Sequence, residues 1–485
     1  MKVCKLAVLF LICLAVPAQV IRVTSGAVDD QVFQRGPGGR ASIAIKGEVQ
    51  GGGASLEARV LRKHMVIMDW APIATPQGGS WSGEIKNLPT GGPYRIELRS
   101  GSGAAAAAIN NILVGDLWVL AGQSNMQGVG DLINVEPPNE LVHNFEMSDT
   151  WVLAEEPLHT LANATDSVHW NRNAQKQPER LDGDRLRKFI ATRTKGAGLG
   201  LPFAVEMVAR TGVPIGLLSC AHGGTSMDQW NPALKEKGGE SLYGSMIRRL
   251  QMAGGKVTGV LWYQGESDAN PKAAPEFQQK FERFVAALRQ DLKQPDVPFY
   301  YVQIGRFINN TNVADWNLVQ DAQRKAENNI PRSGMVPAID TELDDVIHVG
   351  TQDLKRLGKR LANLACRDLF PGVRGAGGMA KGPRPFYVKY TAGVVTVGFS
   401  GVNGKLDSEG PISGFSIHGS DGAPVPVIYR AQVDPANPAA ILLYISGKLP
   451  AGAVLRYGSG KDPYCNVRDA ADMAVPVFGP IPIQQ

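Results

Sequence analysis

Between Ile109 and Gly372 the chain repeats one unit: a short apolar run, then a stretch with helical spacing. The runs are Ile112-Leu-Val-Gly, Leu117-Trp-Val-Leu-Ala, Ile215-Gly-Leu-Leu-Ser, Val257 to Tyr263, Phe299 to Ile304 and Gly334 to Ile339. Each is short, and most lack the polar alternation of a half-exposed strand, so they read as strands buried on both faces. The spacing predicts helices over 202–210, 243–252, 276–292, 317–328 and 353–369. Strand–helix alternation of this kind defines a doubly wound α/β domain over 109–372, with a three-layer parallel-sheet core.

The flanks have a different texture. From 26 to 108 short segments alternate apolar and polar, as in Ala41-Ser-Ile-Ala-Ile-Lys and Ser55-Leu-Glu-Ala-Arg-Val-Leu, with Gly51-Gly-Gly, Gly78-Gly and Gly91-Gly-Pro between them. That pattern predicts a small N-terminal β-sandwich, with 101–108 as a loose hairpin turn or linker. A Gly- and Pro-rich boundary over 372–385 precedes a second β-domain over 385–485, with runs such as Val394-Val-Thr-Val-Gly-Phe and Ala440-Ile-Leu-Leu-Tyr-Ile. The segment 130–198 breaks the central rhythm. It is polar, with Pro137-Pro138, Trp151, Trp170 and Arg172, and reads as a long insertion over one face of the sheet. At 485 residues and 44% hydrophobic, the chain buries enough core to fold without a metal or disulfide staple.

At the N-terminus, Lys2 and Lys5 precede an apolar run from Leu6 to Val16, and Val16-Pro17-Ala18 carries the small residues of a cleavage site. This predicts a signal peptide over 1–18, because so short a run cannot span a bilayer that needs about 20 residues. A lipoprotein signal fits less well, since Ile12 stands before Cys13 where a small residue is expected. The expected mature chain is exported, periplasmic or secreted, with no membrane span. It keeps Cys220, Cys366 and Cys465. Cys366 with Cys465 can pair in an oxidising compartment, which leaves Cys220 over. Their spacing argues against a zinc site. A net charge of +5 with no basic run beyond pairs such as Arg248–Arg249 argues against a nucleic-acid partner.

Ligands of doubly wound sheets bind at the carboxyl ends of the strands, so the residues after each run matter most. Gly122-Gln-Ser124-Asn-Met puts a serine on a tight turn, able to act as a nucleophile or to cap a helix. Met126 departs from the Gly-x-Ser-x-Gly elbow of α/β-hydrolases. His222-Gly223-Gly224-Thr-Ser offers backbone N–H groups to an oxyanion, or a plain strand-to-helix turn; His222 shapes the pocket or serves as a base. Trp262-Tyr-Gln264-Gly-Glu266-Ser-Asp268 supplies an amide donor in Gln264. Asp345 and His348 stand three apart, so that in a bent loop the carboxylate reaches Nδ1 and leaves Nε2 to accept a serine proton. Serine, glycine, amide, aspartate and histidine occur in that order, each at a strand end.

Together these blocks resemble those of SGNH-type hydrolases, and more closely those of the sialate O-acetylesterase family and related acetylxylan esterases. Leu113-Val-Gly-Asp-Leu-Trp-Val-Leu-Ala and Asp462-Pro-Tyr-Cys-Asn-Val extend the likeness, as do Phe33-Gln-Arg-Gly and Gly91-Gly-Pro-Tyr. The resemblance implies an SGNH, flavodoxin-like core and a carbohydrate O-acetylesterase that needs neither metal nor organic cofactor. It implies Ser124 as nucleophile, His348 as general base and Asp345 as its orienter. The N–H groups of Ser124 and Gly224, with Gly223 adjoining, and the Gln264 side chain would form the oxyanion hole. Gln264 stands where wider SGNH hydrolases carry Asn. Glu266 would brace the site, and Trp151 and Trp170 would either stack on a sugar or pack inside the insertion. The implied partner is an acetylated glycan, sialylated or of plant-wall type. Two other readings use the same residues: a non-catalytic carbohydrate-binding protein, and a glycosidase built on Glu266 and Asp268.

Overall fold

The structure, a computed structural model, describes residues 20–50, 54–172, 175, 177–308, 314–373 and 375–485. The leader expected over 1–18 lies outside the described residues. Among the described residues no helix is long and apolar enough to cross a membrane.

The central sheet runs, edge to edge, Trp151–Leu153, Val142–Phe145, Ile215–Ser219, Ala107–Gly122, Gly259–Tyr263, Phe299–Gln303, Ser333–Pro337. All neighbours pair in parallel except Trp151–Leu153, which is antiparallel to Val142–Phe145. In order of the apolar runs, the five strands they form lie 2-1-3-4-5, the flavodoxin-like order. Every residue of the four strands at 215–219, 259–263, 299–303 and 333–337 is buried, as unbroken apolar runs require.

Helices cover both faces. Trp118 packs edge-on to Phe203 of helix Gly200–Thr211, with ring centroids 4.8 Å apart. Trp262 stands opposite Ala121, on the other face by strand parity, and meets Phe284 of helix Phe277–Leu292 at 4.6 Å. Helix Thr351–Leu369 crosses Gly200–Thr211 at Gly358, where a Cβ would come within 2.7 Å of Leu199 O. Helices Leu242–Met252 and Ala314–Asn329 complete the layers. The observed helices begin one to three residues from the expected positions, at ends that hydrophobic periodicity does not define.

The structure refines these readings at four points. The sheet is mixed, not purely parallel, and the insertion does more than cover a face: its Val142–Phe145 and Trp151–Leu153 extend the sheet edge. The border at 108/109 falls inside one unbroken strand. Ala107–Gly122 pairs antiparallel with Gly91–Ser100 at its start and parallel with Ile215–Ser219 and Gly259–Tyr263 at its end. The three described cysteines are free and buried. Cys366 Sγ packs 3.6 Å from Met207 Sδ in the central core, whereas Cys465 belongs to the C-terminal cluster beside Tyr457, so two separate cores keep them from pairing.

On the N-terminal side, strand Arg40–Gln50 buries every second residue, and Ile43, Ile45 and Val49 join Ile85 and Ile96 in a core of their own. On the C-terminal side, two four-stranded antiparallel sheets enclose Val395, Val397, Ile441 and Leu455. Arg360, 1% exposed by its side chain, joins this region to the centre through Asp340 at 2.6 Å and Asp472 at 3.2 Å.

Candidate active site

Strand Ala107–Gly122 has its first neighbour on one side and its second on the other, so a crevice opens past its carboxyl end. Backbone bonds stitch the three strand ends there: Gln123 N–H donates to Tyr263 O at 2.8 Å and His222 N–H to Gly122 O at 3.0 Å. Gly122 has φ +135°, and a Cβ would stand 2.2 Å from Tyr263 O, so only glycine fits. The turn it permits sets Ser124 at the start of a single helical turn, Ser124–Gln127.

The second strand end brings its glycines against this serine. A Cβ on Gly223 would lie 3.3 Å from Ser124 Cβ. Gly223 N–H is already committed, donating to Gln127 Oε1 at 2.8 Å. Gly224 has φ +70° with open space on its Cβ side, and its N–H has no partner among the described residues. Of the two glycines, Gly224 is therefore the one with a donor to offer.

Gln264 departs from expectation. It is fully buried, and its amide donates to Thr225 O at 3.0 Å and to Asp268 Oδ2 at 2.5 Å. Both amide hydrogens are used inside the protein, so the side chain is not an oxyanion donor here. It joins the second strand end to the third. Asp268 also accepts Met227 N–H at 3.0 Å, which makes it part of the same scaffold.

Asp345 and His348 lie on a narrow hairpin closed by Asp344 N–H to His348 O and Gly350 N–H to Glu342 O, both 2.9 Å. Asp345 Oδ2 meets His348 Nδ1 at 2.8 Å, while Oδ1 accepts the N–H groups of Ile347 and His348 at 3.0 and 2.9 Å. Burial alone would raise the Asp345 carboxyl; these donors outweigh it and hold it below its ordinary value. A carboxylate on Nδ1 leaves Nε2 as the proton acceptor.

The clasp between serine and histidine is Asn125, a residue the sequence offered only as part of a motif. It is 2% exposed. Its Oδ1 accepts Val349 N–H at 3.0 Å, and its Nδ2 donates to Glu266 Oε1 at 2.8 Å and reaches Ile347 O at 3.4 Å. The neighbour of Ser124 thus holds both neighbours of His348. No hydrogen bond joins Ser124 Oγ to His348 Nε2 in this conformation; such bonds often close only on substrate. Burial raises the Glu266 carboxyl above its ordinary range, against the Asn125 bond and the nearby His348.

Arg306, which the sequence did not single out, secures the hairpin from behind. It donates to Thr341 O at 3.2 Å, Glu342 at 3.1 Å and Asp462 of the C-terminal region at 3.0 Å. Trp151 is buried against Phe145, ring centroids 5.2 Å apart, so it packs the insertion and offers no sugar platform. Trp170 is half-buried and donates Nε1–H to Ala164 O.

The chain superposes on a carbohydrate acetylesterase from Xanthomonas citri with a TM-score of 0.63 at 22% identity, covering 95% of this chain and 99% of that one. The two chains thus share a fold, which in this chain has a mixed-sheet core. The protein is an enzyme, a carboxylic ester hydrolase. Residues 114–367, just over half of the chain, match the family described as carbohydrate esterase, sialic acid-specific acetylesterase, and the chain belongs to that family. It is 28% identical over 212 residues to a probable carbohydrate esterase of Arabidopsis thaliana, across 42% of this chain and 75% of that protein. To human sialate O-acetylesterase it is 24% identical over 264 residues, across 50% of this chain and 48% of that protein. The match therefore spans about half the length of the human relative.

Proposed function

We propose that the protein removes O-acetyl groups from carbohydrates through an acetyl-enzyme on Ser124. Ser124 Oγ attacks the acetyl carbonyl carbon while its proton passes to His348 Nε2. Asp345 on Nδ1 sets the tautomer and stabilises the imidazolium. The oxyanion is held by the N–H groups of Ser124 and Gly224, each worth about 2.7–4 kcal/mol in comparable sites. His348 returns the proton to the sugar oxygen as the carbon–oxygen bond breaks. Water, deprotonated by His348, then releases acetate.

The observation that carries this reading is the Asp345–His348 bond at 2.8 Å, in a hairpin clasped by the residue next to Ser124. The substrate glycan is a sialylated or a plant-wall acetyl ester, as the sequence resemblance implies. The functional units are read as an N-terminal β-domain over 26–108, a catalytic domain over 109–372 that shares strand Ala107–Gly122 with it, and a C-terminal β-domain over 385–485. A leader over 1–18 sends the chain out of the cytoplasm.

Acetate release from p-nitrophenyl acetate and from acetylated sugars tests the chemistry. Ser124→Ala is expected to lower turnover about 10³-fold or more. Near-full activity in that variant overturns the assignment. Blotting of cell fractions tests export, and a full-length cytoplasmic band counts against it.

A further inference from the structure

Behind the Gly223–Gly224 turn lies a hydrogen-bonded chain that the acyl-transfer steps do not use. His222 Nδ1 is 3.1 Å from His169 Nδ1, and His169 Nε2 is 3.1 Å from Ser245 Oγ. Ser245 Oγ donates to Asp166 Oδ2 at 2.6 Å, and Arg248 pairs with that same oxygen at 2.8 Å. His169 comes from the insertion and Ser245 from helix Leu242–Met252, and both are buried.

The chain has one consistent set of protons. A serine hydroxyl has a single hydrogen, and at 2.6 Å from an arginine-paired carboxylate it points there. Ser245 Oγ can then only accept, so His169 carries its hydrogen on Nε2. Burial, with His222 and Arg249 nearby, pushes His169 well below its ordinary value and keeps it neutral, so its Nδ1 is a bare lone pair. His222 must donate from Nδ1. Burial also lowers His222, which leaves Nε2 unprotonated. This half-buried side chain directly precedes the glycine that packs on Ser124, and its Nε2 has no partner among the described residues.

A nitrogen fixed as an acceptor selects ligand groups that carry a hydrogen. It favours an alcohol and disfavours an ester carbonyl or a carboxylate in the same place. We propose that His222 Nε2 is a specificity site that accepts a hydrogen bond from a free ring hydroxyl beside the acetylated position of the sugar. This rests on the esterase reading above. It makes partly acetylated sugars with an adjacent free hydroxyl the preferred substrates over fully acetylated ones.

The test compares a mono-O-acetyl methyl xyloside bearing a free adjacent hydroxyl with its adjacent-deoxy analogue. The wild type is expected to favour the hydroxyl substrate about 10-fold in kcat/KM, the worth of one such bond. His222→Leu is expected to bring that ratio close to one. Ser245→Ala keeps His222 but frees the His169 tautomer, and is expected to lower the ratio part-way. A wild-type ratio near one, or a ratio unchanged in the folded His222→Leu or Ser245→Ala protein, overturns the proposal. In that event Ser124-dependent release of acetate from p-nitrophenyl acetate would still uphold the esterase reading; loss of that signal would bring down both.

Discussion

The two halves of the proposed catalytic constellation are built differently. Ser124 and Gly224 sit at the ends of central strands, where Gly122 is confined by Tyr263 and the backbone itself sets their positions. Asp345 and His348 sit on a hairpin outside the sheet, with Asp345 exposed, and side chains hold them: Asn125 in front, Arg306 and Asp462 behind. The proposed nucleophile, at the end of a central strand, moves only if the core moves. A base carried on a loop is adjustable, and its placement depends on a few bonds that can be removed without unfolding the core.

The largest expected effect falls on the sheet side. Gly122→Ala forces a Cβ against Tyr263 O and demands a left-handed φ, so stability should fall by about 3 kcal/mol or more, read as the urea midpoint. A folded Gly122→Ala protein of unchanged midpoint would erase the contrast. On the loop side, Asn125→Ala should leave the unfolding free energy within about 1–2 kcal/mol of wild type but lower kcat about 10–100-fold with little change in KM, because His348 loses its register to Ser124. An equal loss in stability and turnover would show that both sides are one structural unit.

The effect that is smallest per step, because it is spread over several pH units, is one of titration. His159 is buried beneath the nucleophile turn, near Leu120 and Gln127, and burial pushes its imidazole down to about 3. Its folded value is depressed, so the unfolded chain takes up a proton first as the pH falls. The stability it contributes is present above about 6.5 and is lost progressively toward about 3. His159→Gln removes this titration. The difference in unfolding free energy between wild type and variant should fall by about 1.4 kcal/mol per pH unit below 6.5. A flat difference would mean that acid does not act on the sheet side through this residue.

Much of the fold is legible in the chain itself. Ile215–Ser219 and Phe299–Gln303 are apolar without interruption because both faces are covered, and that pattern is local. The Asp345–His348 bond was legible for a similar reason, since three residues in a bent loop are close by covalent geometry. Nothing local announced that Val142–Phe145 would extend the sheet, because four residues inside a polar insertion carry too little periodicity to declare a strand.

The remaining site decisions came from competition among groups far apart in the chain. Gln264 had the right chemistry for an oxyanion donor, but Thr225 and Asp268 take both of its hydrogens. Gly223 and Gly224 are equivalent in sequence until Gln127 engages the first. Asn125, His169 and Arg306 gain their roles only from what packs beside them. Composition and spacing determined the alternating architecture, the order of the strand-end residues and the aspartate–histidine pair, because burial periodicity and short-range covalent reach are properties of the chain alone. Which donor stays free, which nitrogen is bare and which amide clasps the loop were decided by the tertiary structure, because a hydrogen bond is settled only when every competing partner has taken its place.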